Sequence, residues 1–227
     1  MVNSDNAKIR LLDAAGPEFA AKGFEGATVR EICLRAEVNV AAVNYYFGDK
    51  ERLYVAAVKR ARALREEQVP MPLWAETLPA EDKLRQFITI LLSRMMGVQA
   101  APWQTRLMMR EIQHPTAACR ELVRDYMRPD FELLLGILDE LVPAEIPRYR
   151  REQIGFSIVG QCFFYLAADS VVSLLIPAEE LATHYQIDQL AEHIQQLSLA
   201  ALGAVPPLDG MLLSPPTARP TNSWNPS

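Results

Sequence analysis

Ala41, Ala42, Asn44, Tyr45 and Tyr46 fall on the outer side of one short segment, and together they make a poor solvent face. Two aromatics, two small residues and one amide suit a groove of double-stranded DNA far better. An amide reads the edge of a base, methyl groups meet thymine methyls, and tyrosines reach sugar or phosphate. Each side chain also has a plainer reading. Asn44 could simply face water, and the tyrosines could pack on a preceding helix. The chemistry on offer is recognition and not bond-making.

The elements that must carry this face are legible in residues 28–53, TVREICLRAEVNVAAVNYYFGDKERL. Thr28 is a good N-cap, and Glu31 three positions later completes a capping box. Val29, Ile32, Cys33 and Ala36 then share one helical face. After a break at 37–39, a second segment runs from Val40 to Phe47, with Val40, Val43 and Phe47 expected to point inward. Asp49 caps a third helix and puts Lys50 in its first turn. The pattern is a helix-turn-helix.

Segment 8–54 resembles the DNA-binding domain of the tetracycline-repressor (TetR/AcrR) family of bacterial one-component regulators. The resemblance is carried by KIRLLDAAGPEFAAKGF, by Thr28-Val29-Arg30-Glu31-Ile32 and above all by VNYYFGDKERL at 43–53. It implies that Thr28, Arg30, Ala41, Ala42, Asn44, Tyr45, Tyr46 and Lys50 lie at DNA-contacting positions, with Arg30 and Lys50 on phosphates. Two departures stand out. Glu37 occupies the turn position where the family usually has glycine, and a left-handed backbone there costs a non-glycine residue roughly 1 kcal/mol. Gly16-Pro17 lies inside the first helix, where proline removes a ladder hydrogen bond, so a bend is expected near Ala14–Pro17.

Half of the 227 residues are hydrophobic, which is enough for one large or two small cores. No apolar run approaches the ~18 residues of a membrane span, and the N-terminus lacks a basic-then-apolar secretory pattern. Cys33, Cys119 and Cys162 have no metal-type spacing, and an odd count without a disulfide framework fits a reducing cytoplasm. The net charge of −5 divides unevenly. Residues 1–65 hold 11 Lys and Arg against 8 Asp and Glu, a net of +3, and the remainder nets −8. Such a split draws DNA to the N-terminal part, although helical proteins often show one.

The chain reads as all-α, with about nine helices near 5–22, 28–36, 40–47, 50–68, 80–97, 103–113, 117–142, 150–176 and 186–204. Prolines at 70, 72, 79, 115, 143, 147 and 177 punctuate them. Three units are expected: a DNA-binding domain over 1–49, a helical effector-binding and dimerisation domain over 50–204, and a Pro-rich tail over 205–227 that includes Trp224. Within the second unit, REIQHPTAACRELVRDYMRP (110–129), SIVGQCFFY (157–165) and AEHIQQLSLAAL (191–202) together resemble the CerR-type effector domain of the same family.

Met95, Met96, Trp103, Met108 and Met109 could line an effector pocket, because thioethers adapt to flat or bulky ligands. Glu111, Gln161 and Tyr165, together with Arg110 and His114, would add polar contacts. A methionine stripe at helical spacing is core more often than pocket, and His114 before Pro115 reads first as a helix C-terminal cap. Two reading heads about 34–36 Å apart would match successive major grooves, which requires a homodimer. Ile154, Ile158, Val172, Leu190, Ile194 and Leu197 offer apolar area for it, with Leu175 and Leu202 beside them. Gly155, Ser157, Gly160, Ala167 and Ala168 would let helices approach. The same side chains could be buried within one subunit, and it is the resemblance that favours the dimer.

There is no Gly-rich phosphate loop, nucleophile elbow or His/Cys/carboxylate cluster with ligand spacing, so neither enzyme, metal nor cofactor is expected. The resemblance implies a repressor that a small molecule releases from double-stranded operator DNA. The alternative is a helical interaction or ligand-binding protein of the same fold with weak or lost DNA binding.

Overall fold

Periodic apolar residues along the chain build helices, and no strand occurs among the described residues. The computed structural model describes residues 2–97 and 101–203; the expected tail at 205–227, with Trp224, lies outside them. The chain runs through α1 (Val2–Gly26), α2 (Val29–Arg35), α3 (Ala41–Tyr46), α4 (Lys50–Gln68), α5 (Ala80–Met96) and α6 (Pro102–Gln113). It continues through α7 (Ala117–Leu122), a π-helical turn (Val123–Met127), α8 (Arg128–Leu141), α9 (Arg148–Ala167), α10 (Asp169–Leu175), α11 (Ala178–His184) and α12 (Ile187–Ala201).

The helices outnumber the nine expected because two long segments are subdivided and α11 forms where no helix was expected. Residues 117–141 stay helical but pass through the π turn. Residues 150–176 break at Ala168 (φ −110°, ψ 20°), where α10 turns away from α9 by 75°. No glycine or proline marks that break. No single helix among the described residues is long and apolar enough to cross a membrane.

Two apolar cores organise the subunit. One joins Leu11, Ala15 and Phe19 of α1 to Ile32, Val43 and Phe47, and to Leu53, Tyr54, Ala57, Val58 and Ala61 of α4. It also takes in Leu107, Ala118 and Leu122, so it does not end at residue 49. The second joins α5, α8, α9 and α12 through Leu84, Phe87, Leu92, Leu134, Leu138, Ile158, Leu190 and Ile194.

The expected bend at Ala14–Pro17 is replaced by one farther along. The only α1 residue outside helical angles is Gly23 (φ 74°, ψ 176°), a conformation that glycine adopts without a Cβ penalty. Gly16 serves another purpose. A Cβ there would fall 2.3 Å from the ring of Trp103, so the missing side chain lets α6 lie against α1. Next to it, the Arg110 guanidinium donates to the carbonyls of Ala20 and Ala21 at 3.0 and 3.2 Å, just before the Gly23 break.

Candidate DNA-reading face and effector cavity

Helix α2 begins where Thr28 Oγ1 accepts from the Glu31 amide at 3.2 Å. The capping box closes differently from expectation, because the Thr28 hydroxyl donates to Glu31 Oε2 at 2.7 Å. Lys22 of α1 donates to the other Glu31 oxygen at 2.7 Å. First Lys22 and then Thr28 hold the Glu31 carboxyl down to about 2. Arg35 meets buried Glu18 at 3.2 Å, and the pair of contacts fixes α2 on α1.

The turn into α3 passes through Glu37 at φ 54°, the left-handed conformation expected of glycine. Its ion pair with Arg10, at 3.9 Å and largely exposed, offsets little of that strain. Glu37→Gly should therefore stabilise the protein by about 1 kcal/mol. A thermal melt read beside wild type should rise by roughly 2–4 °C for a chain of this size, and an unchanged or lower midpoint would contradict the strain.

Asn39 Oδ1 accepts from the Ala41 amide at 2.9 Å and so starts α3. Val43 and Phe47 anchor the helix in the N-terminal core. Val40 does not join them; at 47 % exposure it sits on the open side with Ala41, Asn44 and Tyr45. Tyr45 is 79 % exposed. Tyr46 and Ala42 are half-buried, packing against the core, and the two tyrosine rings meet edge to face at 4.9 Å. Arg30 is exposed on α2. Lys50 is held in place: its ammonium lies 4.7 Å from the centre of the Phe24 ring and 3.4 Å from the Glu25 carbonyl.

In the helical body a cavity of about 280 Å³ opens between α4, α5, α6, α8 and α9. Met95, Met108 and Met109 line it, as the methionine pattern suggested. The other expected lining residues lie elsewhere. Trp103 packs over Gly16 of α1, and Met96 and Tyr165 border a neighbouring surface depression. Gln161 donates to the Ser157 carbonyl one helical turn back. Glu111 is fully buried as an acceptor for the Tyr54 hydroxyl at 2.7 Å and for the Thr116 hydroxyl and amide at 2.9 and 3.3 Å. That knot ties α4, α6 and the start of α7. His114 is exposed at the C-terminal cap of α6, where its amide donates to the Arg110 carbonyl.

The polar wall of the cavity is made by Arg62, Arg65, Arg94, Thr105 and Asp130. Asp130 accepts from both Arg62 and Arg94, the latter at 3.1 Å. Glu66 lies 3.1 Å from Arg62, and Arg94 Nε donates to the Val69 carbonyl at 2.8 Å. Among the described residues, the Arg65 side chain has Thr105 Oγ1 as its one hydrogen-bond partner. Burial, and then the neighbouring Arg62, lowers the Arg65 pKa. The sequence did hold a signal for these arginines. Arg65 follows Ala61 by four residues and Arg94 follows Phe87 by seven, so both fall on the buried faces of their helices.

The dimer candidates separate into two groups. Ile158, Leu190 and Ile194 are buried inside the subunit and are corrected to core residues: α12 packs on α5, where Gln195 donates to the Glu81 carbonyl at 2.7 Å. Gly155 is likewise buried against Phe131, while Ile154, Val172 and Leu197 are half-buried. Others of the expected residues, Ser157, Gly160, Ala167 and Leu175, lie on a surface that is left open. Phe156, Ser157, Gly160, Phe164 and Ala167 form one exposed stripe along α9, and Val171, Leu174 and Leu175 extend the exposed apolar residues onto α10. Among the described residues no group of three or more His, Cys, Asp or Glu is placed to hold a metal ion.

Residues 11–57 match the family of bacterial regulatory proteins of the tetR type, and residues 80–202 match the C-terminal domain of the HTH-type transcriptional dual regulator CecR. The effector-domain resemblance seen in residues 110–202 is to this CecR domain. The CecR protein of Shigella flexneri is 43 % identical over 58 residues, 26 % of each chain. The probable HTH-type regulator YttP of Bacillus subtilis is 24 % identical over 135 residues, 60 % of this chain and 64 % of that one. The HTH-type repressor NicS of Pseudomonas putida is 27 % identical over 88 residues, 39 % and 41 % of the two. These matches thus span less than two thirds of each relative. Among solved structures, a TetR-like regulator from Rhodococcus sp. RHA1 shares the fold over 88 % of this chain and 97 % of its own, at TM-score 0.59 and 22 % identity. Bacillus subtilis FadR, solved with stearoyl-CoA, does so over 85 % and 97 %, at TM-score 0.60 and 18 % identity.

Proposed function

The chain belongs to the TetR family of bacterial regulatory proteins and carries the CecR-type C-terminal domain; on that footing we propose that it is a homodimeric, ligand-responsive repressor of transcription and not an enzyme. The observation that carries this reading is the open face of α3. Val43 and Phe47 seat the helix, while Asn44 and Tyr45 stand in solvent beside Ala41. We place the reading head in residues 1–49 and the effector-binding and dimerising body in 50–204, working in the cytoplasm. The first turns of α4 are packed into the head, so that helix spans both.

In this reading Arg30 and Lys50 contact phosphates, Asn44, Ala41 and Ala42 read base edges, and Tyr45 and Tyr46 meet the sugar-phosphate backbone. Thr28 sets the start of α2 next to the same backbone. Lys50 has three N–H groups, so its contact with Glu25 leaves donors for a phosphate. The exposed stripe on α9 and α10 supplies the two-fold contact. Ser157 and Gly160 let backbones approach, and Phe164, Leu174 and Leu175 contribute apolar area.

Ligand control needs a helix that feels both the cavity and the head, and α6 is such a helix. Thr105, Met108, Met109 and Ile112 line the cavity, while Trp103 and Arg110 grip α1. A ligand that shifts α6 and α4 lowers DNA affinity only by favouring a state whose two heads no longer fit together. The repressor NicS and the acyl-CoA complex of FadR support this reading by likeness.

Fluorescence anisotropy on duplexes from the chain's own upstream region tests the contacts. Lys50→Ala should weaken binding to all duplexes alike and reduce the salt slope by about 1, whereas Asn44→Ala should cost about 1–3 kcal/mol only where its base is present. Equal losses from both variants on every sequence would remove Asn44 from readout.

A further inference from the structure

The cavity described above has an apolar body and one charged end that the protein leaves unbalanced. Phe87, Leu91, Met95, Met108, Met109 and Phe163 make up much of its wall, and Arg62, Arg65 and Arg94 meet at one end. Two carboxylates, Glu66 and Asp130, face these three guanidinium groups. Both serve Arg62 and Arg94. Arg65 has no carboxylate partner among the described residues, and its Nε has no hydrogen-bond partner among them. Its side chain is nevertheless almost wholly buried, at 5 % exposure.

A buried, unpaired guanidinium costs several kcal/mol, and a protein that retains one beside an open cavity has a place ready for an anion. The charge count sets the valence: three cations against two anions leave one positive charge. Since a guanidinium presents its N–H groups as a planar fork, a flat carboxylate is a good geometric match. The volume, about 280 Å³, is at the low end for small-molecule sites and limits the ligand to a compact body.

We infer that this cavity takes an organic monocarboxylate with a compact apolar body, its carboxylate on Arg65 and its body among Met108, Met109 and Phe163. The inference rests on reading the cavity as the effector site, and it specifies the class of effector. Asp130 does not oppose the ligand, because Arg62 and Arg94 already engage it. Arg65 lies in the last turn of α4, so an anion there acts on the helix that runs from the reading head into the body.

The test uses the full chain without DNA and two matched pairs of probes: decanoate with decanamide, and 2-naphthoate with 2-naphthamide. Calorimetry should show at least one acid binding about tenfold or more tighter than its amide, the size expected for a hydrogen bond to a charged group. Arg65→Met should bring acid and amide within about twofold of each other. That variant removes an unpaired buried charge and is expected to fold at least as well as wild type. Thr105→Val is a second check: it removes the acceptor that Arg65 now uses, and the preference for the acid should persist or grow. Acid and amide binding alike, neither member of either pair binding, or Arg65→Met keeping the preference would each overturn the assignment. Failure of the regulatory reading looks different: the acids bind, yet operator affinity is unchanged by them.

Discussion

Phe164→Glu combined with Leu174→Glu should yield a folded single subunit whose operator affinity is lower by roughly 10²-fold or more. The size follows from linkage. Two heads joined by a dimer contact bind the second half-site as an intramolecular step, and separating them forfeits that effective concentration. Both side chains lie on the open stripe of α9 and α10, Leu174 at 88 % exposure, and neither lines the cavity. Within one subunit both positions are exposed, and such substitutions usually change intrinsic stability by no more than about 0.5 kcal/mol. Sedimentation should therefore show a monomer with the helix content of wild type, and its thermal midpoint should fall because the stabilisation added by dimerisation is lost. A double variant that remains dimeric, or a monomer that binds operator as well as wild type, would contradict the assignment of this surface.

Glu111→Ala should be among the most damaging truncations of a polar side chain in the body. The Glu111 carboxylate is wholly buried and accepts from the Tyr54 hydroxyl and from the Thr116 hydroxyl and amide. Burial and then Glu111 raise the Tyr54 phenol pKa, so that hydroxyl remains a donor. Removing the acceptor strands the buried Tyr54 hydroxyl, leaves the half-buried Thr116 donors unpaired and opens a void, at a combined cost of about 3 kcal/mol. For a chain of this length that is a fall of roughly 6–12 °C in melting temperature. Glu111→Gln keeps an acceptor oxygen and should lose less than half as much. The same knot joins α4 to α6, so Glu111→Ala should also weaken the response of DNA binding to ligand. A melting temperature within about 2 °C of wild type would show that the knot carries little stability.

The head was legible in the sequence because its signals are local. A capping threonine, apolar residues at helical spacing, a break and a second cap are all read within a few residues of one another, and Thr28, Val43, Phe47 and Asp49 take their expected places. Val40 was misjudged because it precedes α3 and sits just off the buried stripe. The cavity was only half legible. Methionine composition pointed to Met95, Met108 and Met109 but also to Met96, and nothing local could show that Trp103 would dock on Gly16, far away in sequence. Arg65 and Arg94 were overlooked for a different reason: arginine usually lies at the surface, and residue type outweighed helical register in the reading. The surface proposed for a second copy was half legible: Ser157, Gly160, Ala167 and Leu175 lie on it as expected, whereas Phe156, Phe164, Val171 and Leu174 were passed over. Ile158, Leu190 and Ile194 have the right chemistry for an interface, but α5 already packs on both α9 and α12 within the subunit. Which apolar face remains open is a property of the whole packing and not of any one helix.

The central claim is that two copies of the α3 face grip one stretch of double-stranded DNA. Sedimentation of the full chain with a duplex from its own upstream region, repeated across a salt series, tests it most directly. The account predicts two subunits per site and an affinity that falls steeply and log-linearly as salt rises. A single subunit in solution, or no complex even at low ionic strength, would contradict it.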